Sequence, residues 1–153
     1  MPCLYFEPTV PVVEPFHDRS RLPLIEEYGG RCHAMHVAVA AADQMRWQCC
    51  NQGYSLGRCP QFPAAGFAGA LRYSVTRHAE DLLELVWIEE REHAPFRHGS
   101  LHFTISTGCL LEAGLDTPVA AQALAYCRSY LKRYREHSRP AHPTGDSEPQ
   151  SIT

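Results

Sequence analysis

The sequence predicts an α+β domain: a small antiparallel sheet of three to four strands packed by a C-terminal helix, behind an irregular, cysteine-bearing N-terminal half. Three observations predict it. Apolar residues fall in three strand-like runs between positions 70 and 106. A wide apolar band recurs at helical spacing from 117 to about 137. Prolines and glycines break every regular period before position 63.

The first 23 residues hold Pro2, Pro8, Pro11, Pro15 and Pro23. Proline fixes its own φ and pushes the preceding residue away from helix, so this arm is expected to be extended and irregular. It also carries Cys3, Leu4, Tyr5, Phe6, Val10, Val12, Val13 and Phe16, too much apolar surface for a solvated tail, so it should lie against the body. A helix is expected over 38–52, with Ala40, Ala41 and Ala42 favouring it, Asp43 available as a cap and Gly53 as a stop. A loop follows over 51–63, punctuated by Gly53, Gly57, Pro60 and Pro63.

Strands are expected over 70–76, 82–91 and 101–106. The first places Leu71, Tyr73 and Val75 on one face. The second is apolar on both faces, as a central strand should be. The third sets Phe103 and Ile105 opposite His102 and Thr104. Thr117 and Pro118 read as N-cap and first residue of the last helix, expected to end near His137. Leu124, Cys127 and Leu131 line one side of it, and Tyr126, Tyr130 and Tyr134 the adjoining one. A single domain is thus expected over 1–137. Residues 138–153, rich in Pro, His, Ser, Gly and acid, read as a disordered tail.

A chain of 153 residues is long enough to bury a real core without cross-links. Its apolar stretches are too short to span a bilayer, so no membrane partner is expected. No charged segment followed by an apolar run opens it, and a secretory signal is not expected. The net charge of −3 argues against a surface built for nucleic acid. The anomaly is seven cysteines, an odd number. In a reducing cytoplasm, the expected compartment, such cysteines are buried thiols, reactive thiols or metal ligands.

The conspicuous segment runs from Cys49 and Cys50 through Asn51, Gly53, Tyr54 and Gly57 to Cys59, Pro60 and Pro63. A Cys-Pro pair closes many iron–sulfur ligand runs. Gly53 and Gly57 would let the backbone turn around a cluster and aim amide groups at its sulfurs, as hydrogen-bonding surroundings of a metal do. Cys3 lies in the arm, and Cys32 follows Gly29 and Gly30. Cys3, Cys32, Cys50 and Cys59 are therefore the expected thiolate ligands of a [4Fe–4S] cluster. Structural zinc is the alternative, although no tight Cys-x2-4-Cys pair is present. Cys109 and Cys127 read as small buried hydrophobes.

The opening Met-Pro-Cys-Leu-Tyr-Phe-Glu-Pro and the stretch from Cys50 to Pro63 resemble motifs of a group of small, uncharacterised bacterial proteins. The resemblance covers the front half best, with the segment 87–99. The group has no established activity, so the resemblance implies no catalytic role. It implies Cys50 rather than Cys49 as the recurring cysteine, directly before Asn51.

Other constellations compete with this one. His98 and His102, four apart in extended chain, would share a sheet face and with Glu89 or Glu92 could hold a divalent cation; otherwise they belong to a polar hairpin loop. His33 and His36 adjoin Cys32 and could hydrogen-bond a cluster or replace a ligand. No nucleophile elbow, phosphate loop or His-Glu-x-x-His occurs, which leaves Cys32 and His33 as the one thiol-enzyme candidate. Arg128, Lys132, Arg133, Arg135 and Arg139 crowd the end of the last helix, complementing its dipole or meeting an acidic partner. The expected function is a small iron–sulfur protein for electron transfer or for redox or iron sensing, working with a redox or regulatory protein and without catalysis of its own. The alternative is a structural-zinc or metal-free protein-interaction domain.

Overall fold

The computed structural model describes residues 1–13 and 22–138. Two antiparallel sheets and one long helix make the fold. The first sheet has the order β1-β2-β3, with β1 Phe6–Pro11, β2 Tyr28–Cys32 and β3 Val39–Ala40. The second has the order β4-β5-β6-β7, with β4 Gly69–His78, β5 Leu82–Arg91, β6 Ala94–Thr104 and β7 Cys109–Leu110. A short helix α1, Asp43–Met45, runs on as a π-helical turn, Arg46–Cys50. The C-terminal helix α2, Thr117–His137, packs on the strands. No helix of the described residues is long and apolar enough to cross a membrane.

The four-stranded sheet follows from simple alternation. In β5, Leu83, Leu85, Trp87 and Glu89 all turn to the buried side, and Leu101 and Phe103 join them from β6. Each fully buried large apolar side chain contributes roughly 1.5–3 kcal/mol, so this face is a main source of stability. β5 lies between β4 and β6, as its two-sided apolar content requires. The expected third strand starts seven residues too late. Glu92 and His93 form a two-residue hairpin turn with φ of 48° and 65°, and pairing resumes at once with Arg91 opposite Ala94. That positive-φ pair matches the twist of the flanking strands, and neither residue announces it as Asn-Gly would.

The N-terminal half departs further from expectation. The arm is not irregular throughout: Phe6–Pro11 pairs with Tyr28–Cys32, Phe6 opposite Cys32 and Pro8 opposite Gly30. Proline is tolerated because β1 is an edge strand, where a missing donor costs no ladder bond. Gly30 is required there, since a Cβ would lie 2.1 Å from the Glu7 carbonyl. The helix expected over 38–52 is cut short. Val39 and Ala40 pair with β2 instead, and helix begins only at Asp43. Asp43 lies inside that first turn, where its carboxylate binds Arg46 at 2.6 Å, and the N-cap is Ala42. Residues 14–21 of the arm, the expected tail over 139–153 and Arg139 lie outside the described residues.

Helix α2 keeps its expected span, with the N-cap one residue earlier, at Asp116. Its buried positions serve both sheets. Tyr28 of β2 donates its hydroxyl to the Ala125 carbonyl at 3.0 Å and lies 2.7 Å from the Ser129 hydroxyl. Tyr73 of β4 donates to the Val119 carbonyl at 3.0 Å, and its ring stacks on Tyr126. The tyrosine stripe is thus partly core, ending in an exposed Tyr134 against His78.

Candidate functional site

The residues around the cysteines are fixed by backbone bonds that tie distant segments together. The Cys3 amide donates to the Cys50 carbonyl at 2.9 Å, and the Leu71 amide to the Pro2 carbonyl at 3.1 Å. The arm is therefore pinned between the cysteine turn and β4. The His33 amide donates to the Tyr5 carbonyl at 2.8 Å, which brings the end of β2 beside the residues that follow Cys3. Gln122 of α2, fully buried, donates its Nε2 to the carbonyls of Cys3 and Phe6 at 2.8 and 2.7 Å.

Asn51 holds the cysteine turn to β2. Its Oδ1 accepts from the Tyr28 amide at 3.1 Å, and its Nδ2 donates to the carbonyls of Tyr28 and Arg46 at 3.0 Å each. One buried amide side chain thus stands in for a neighbouring strand and caps the π-helical turn that presents Cys49 and Cys50. Ser55, also fully buried, donates to the Cys49 carbonyl at 3.0 Å, and its own carbonyl accepts from the Cys59 amide at 2.9 Å. Arg58 donates to the Gln48 carbonyl at 2.6 Å, closing the loop back on the turn.

These bonds gather five thiols. Cys3, Cys32, Cys49 and Cys50 are buried and Cys59 is partly exposed. Burial pushes the Cys50 thiol up to about 12, and the charges of Cys3, Cys32, Cys59 and Cys49 add to that rise. Burial likewise pushes Cys3 up to about 12, with Cys32 and Cys59 adding to it. Cys32 is raised by burial and then by Cys59, and Cys49 by burial and then by Cys59. The four cysteines expected as ligands, from four separate segments, therefore stand within electrostatic reach of one another. Cys49 joins them.

Groups that favour the anionic sulfur face this pocket. The amide of Tyr5 donates to the Cys3 sulfur and that of Ala34 to the Cys32 sulfur, each lowering a thiol that burial raises. The Ser55 hydroxyl lies in hydrogen-bond range of the sulfurs of Cys3 and Cys49, and its single proton can serve one acceptor at a time. Gly53, expected to aim its amide at a sulfur, donates it to the Cys49 carbonyl at 2.9 Å. What Gly53 supplies is conformation: φ is +70°, and a Cβ there would lie 2.2 Å from the Met1 carbonyl oxygen. Gly57, with φ of +74°, faces open space. Tyr5, Ala34, Ser55 and Asn51 were not among the expected site residues; an Asn and a Ser inside a cysteine loop were the only legible hints.

The remaining cysteines are elsewhere. Cys127 is fully buried beside Tyr73 and Tyr126 on α2, as expected of a core thiol. Cys109, expected to be buried, is exposed in β7, its sulfur 3.5 Å from the Thr107 carbonyl. A two-residue strand at the sheet edge has no second layer over it.

The histidine–carboxylate site expected near the second hairpin is not assembled. His102 lies 2.7 Å from Glu112, and His98 is exposed opposite Ile88. Glu89 is held by Arg91 and Arg97, and Glu92 accepts the Ala68 amide at 2.9 Å. His33 pairs with Glu7 at 2.6 Å, and His36 is exposed. Among the described residues, no three His, Cys, Asp or Glu side chains stand in a ready-made metal-holding group. The five thiols share one pocket without being drawn onto a single point. Comparison with protein-family models, curated proteins and solved structures finds no match to this chain.

Proposed function

We propose that this chain is a small iron–sulfur protein, with Cys3, Cys32, Cys50 and Cys59 holding a [4Fe–4S] cluster. The observation that carries the reading is the meeting of four cysteines, spread over 57 positions, in one largely buried pocket. Buried thiols that raise one another resist becoming thiolates together, and a cationic centre removes that resistance by binding the thiolate form and releasing protons. The donor set fits the group: four sulfurs, amides from Tyr5 and Ala34 aimed at two of them, and a hydroxyl at Ser55. Such donors stabilise negative charge on cluster sulfur and raise its potential.

Cys50 is preferred to Cys49 because it feels all four other thiols, whereas Cys49 couples to Cys59 and sits by Arg58. Bound, the cluster would supply one-electron exchange. Four protein thiolates leave no open iron position, which favours electron transfer or redox or iron sensing over substrate chemistry. The reading puts the protein in the cytoplasm with a redox or regulatory protein as partner. Cys3 adds a sensing element, since it anchors the arm to the turn at Cys50.

The test is purification without air, followed by iron and sulfide quantification and a visible spectrum. Brown protein with about four irons and four sulfides and a broad band near ~400 nm is expected. Colourless protein with one zinc would establish the structural-zinc reading instead, and protein free of iron and zinc the metal-free interaction domain.

A further inference from the structure

A second site adjoins the cysteine pocket and owes nothing to it. A cleft of about 400 Å³ opens between Leu4 and Tyr5 of the arm, His33 at the end of β2, and the start of α2. That volume falls within the range of small-ligand sites. Leu4, Phe67, Leu71 and Val119 give it apolar walls, and Arg91 and Arg97 bring charge.

The setting of Arg91 is specific. Its guanidinium carbon lies 3.7 Å from the centre of the Phe67 ring and 3.3 Å from that of Phe96. Two rings that close can only cover opposite faces of one planar group. Its Nε donates to Glu89 at 2.9 Å. Glu89 is nearly fully buried and also binds Arg97, which in turn reaches Asp116 at 2.7 Å on the exposed rim. Both faces and one edge of the Arg91 guanidinium are thus occupied. Its two η nitrogens have no partner among the described residues. The open edge is the planar fork that matches a carboxylate oxygen pair.

Charge supports the same conclusion. Two guanidinium groups share one buried carboxylate, and the second carboxylate, Asp116, is 61 % exposed and touches only Arg97. The inner end of the cleft is therefore cationic, with apolar walls leading to it. We propose that the cleft binds a small carboxylate with a flat apolar body, its carboxylate on the η nitrogens of Arg91 and its body against Leu4 and Val119.

Saturation-transfer NMR on the full chain, as purified, tests this with benzoate, its neutral counterpart benzamide, and inorganic phosphate. Benzoate is expected to bind saturably, and benzamide at least about tenfold more weakly, because only the anion meets the charged fork. Arg91→Gln should weaken benzoate about tenfold or more, while Arg135→Gln, on the exposed end of α2, should leave it unchanged. Phe96→Ala is the second variant: Phe96 is 54 % exposed, so the fold tolerates its loss, yet Arg91 loses one covering ring and benzoate should weaken severalfold. Equal binding of benzoate and benzamide, wild-type affinity in Arg91→Gln, or no saturable binding by benzoate overturns the proposal. Phosphate displacing benzoate at lower concentration than benzoate itself overturns the carboxylate assignment. None of these outcomes depends on what the thiols hold, so failure here and failure of the iron–sulfur reading are separately visible.

Discussion

Replacing Cys59 and Cys127 by serine, one at a time, separates ligand from core. Cys127 is fully buried on α2 against Tyr73 and Tyr126. A serine hydroxyl there leaves water without a hydrogen bond in exchange, at about 1–3 kcal/mol. In a chain of this size, each kcal/mol lowers Tm by roughly 2–4 °C, so Cys127→Ser should melt roughly 3–10 °C lower. It should retain its iron. Cys59 is partly exposed, and serine at such a site changes the metal-free fold by less than about 1 kcal/mol. Its loss removes one of four sulfurs, so Cys59→Ser should lose most of its iron and its visible absorbance. The assay pairs thermal denaturation with iron content on the same preparations. Equal iron loss in the two variants, or none in Cys59→Ser, refutes the division of the seven cysteines into ligands and core.

Three further outcomes follow from particular bonds. Gln122→Leu strands the carbonyls of Cys3 and Phe6 but also removes the unpaired Oε1 of Gln122, so the net loss should be about 1–3 kcal/mol by denaturant unfolding, with lower iron occupancy because Cys3 is loosened. Gly57→Ala should cost only about 1 kcal/mol, from its positive φ, whereas Gly53→Ala adds a collision with the Met1 carbonyl and should cost at least about 2–3 kcal/mol; equal effects would contradict the packing of the arm on this turn. Glu90 is held below its ordinary 4.5 by the Tyr54 hydroxyl and then by Arg72, against the opposing effect of burial. Its stabilising contribution is complete above the unfolded-state value and disappears as pH falls through the lower folded value. Glu90→Gln should therefore be less stable than wild type by about 1–2 kcal/mol at pH 7, with the gap closing below pH ~4.5 in denaturant titrations at stepped pH.

How much could be read from the chain depended on whether a segment's partners were local. β4, β5 and α2 show their period within ten to twenty residues, and their positions follow from side-chain alternation and a proline at the helix start. The first sheet shows none. β1 carries two prolines and β2 two glycines, residues that argue against strand when read alone, and they pair across a gap of 16 residues. Alanine propensity at 40–42 lost to that same sheet, because β3 completes the pairing of Arg31 and Cys32. Cys109 was misread from its neighbours Leu110 and Leu111, which turn out to be half-buried and exposed.

In the candidate site, loop chemistry and glycine context singled out the cysteines. Their meeting place rests on bonds that no spacing encodes: the Cys3 amide to Cys50, Asn51 to Tyr28, and Gln122 to the arm from more than 110 residues away. The donors to sulfur were misassigned to Gly53 for the same reason. Which amide faces a sulfur is decided by where β1 and β2 end, and the glycine's backbone was already committed to the turn.

Native mass spectrometry of the protein purified without air reads the occupant of the thiol pocket directly. A mass about 350 Da above that of the chain, lost in Cys50→Ser and retained in Cys127→Ser, is expected for four irons with four sulfides on Cys3, Cys32, Cys50 and Cys59. The bare chain mass, or an increment of a single zinc, would contradict it.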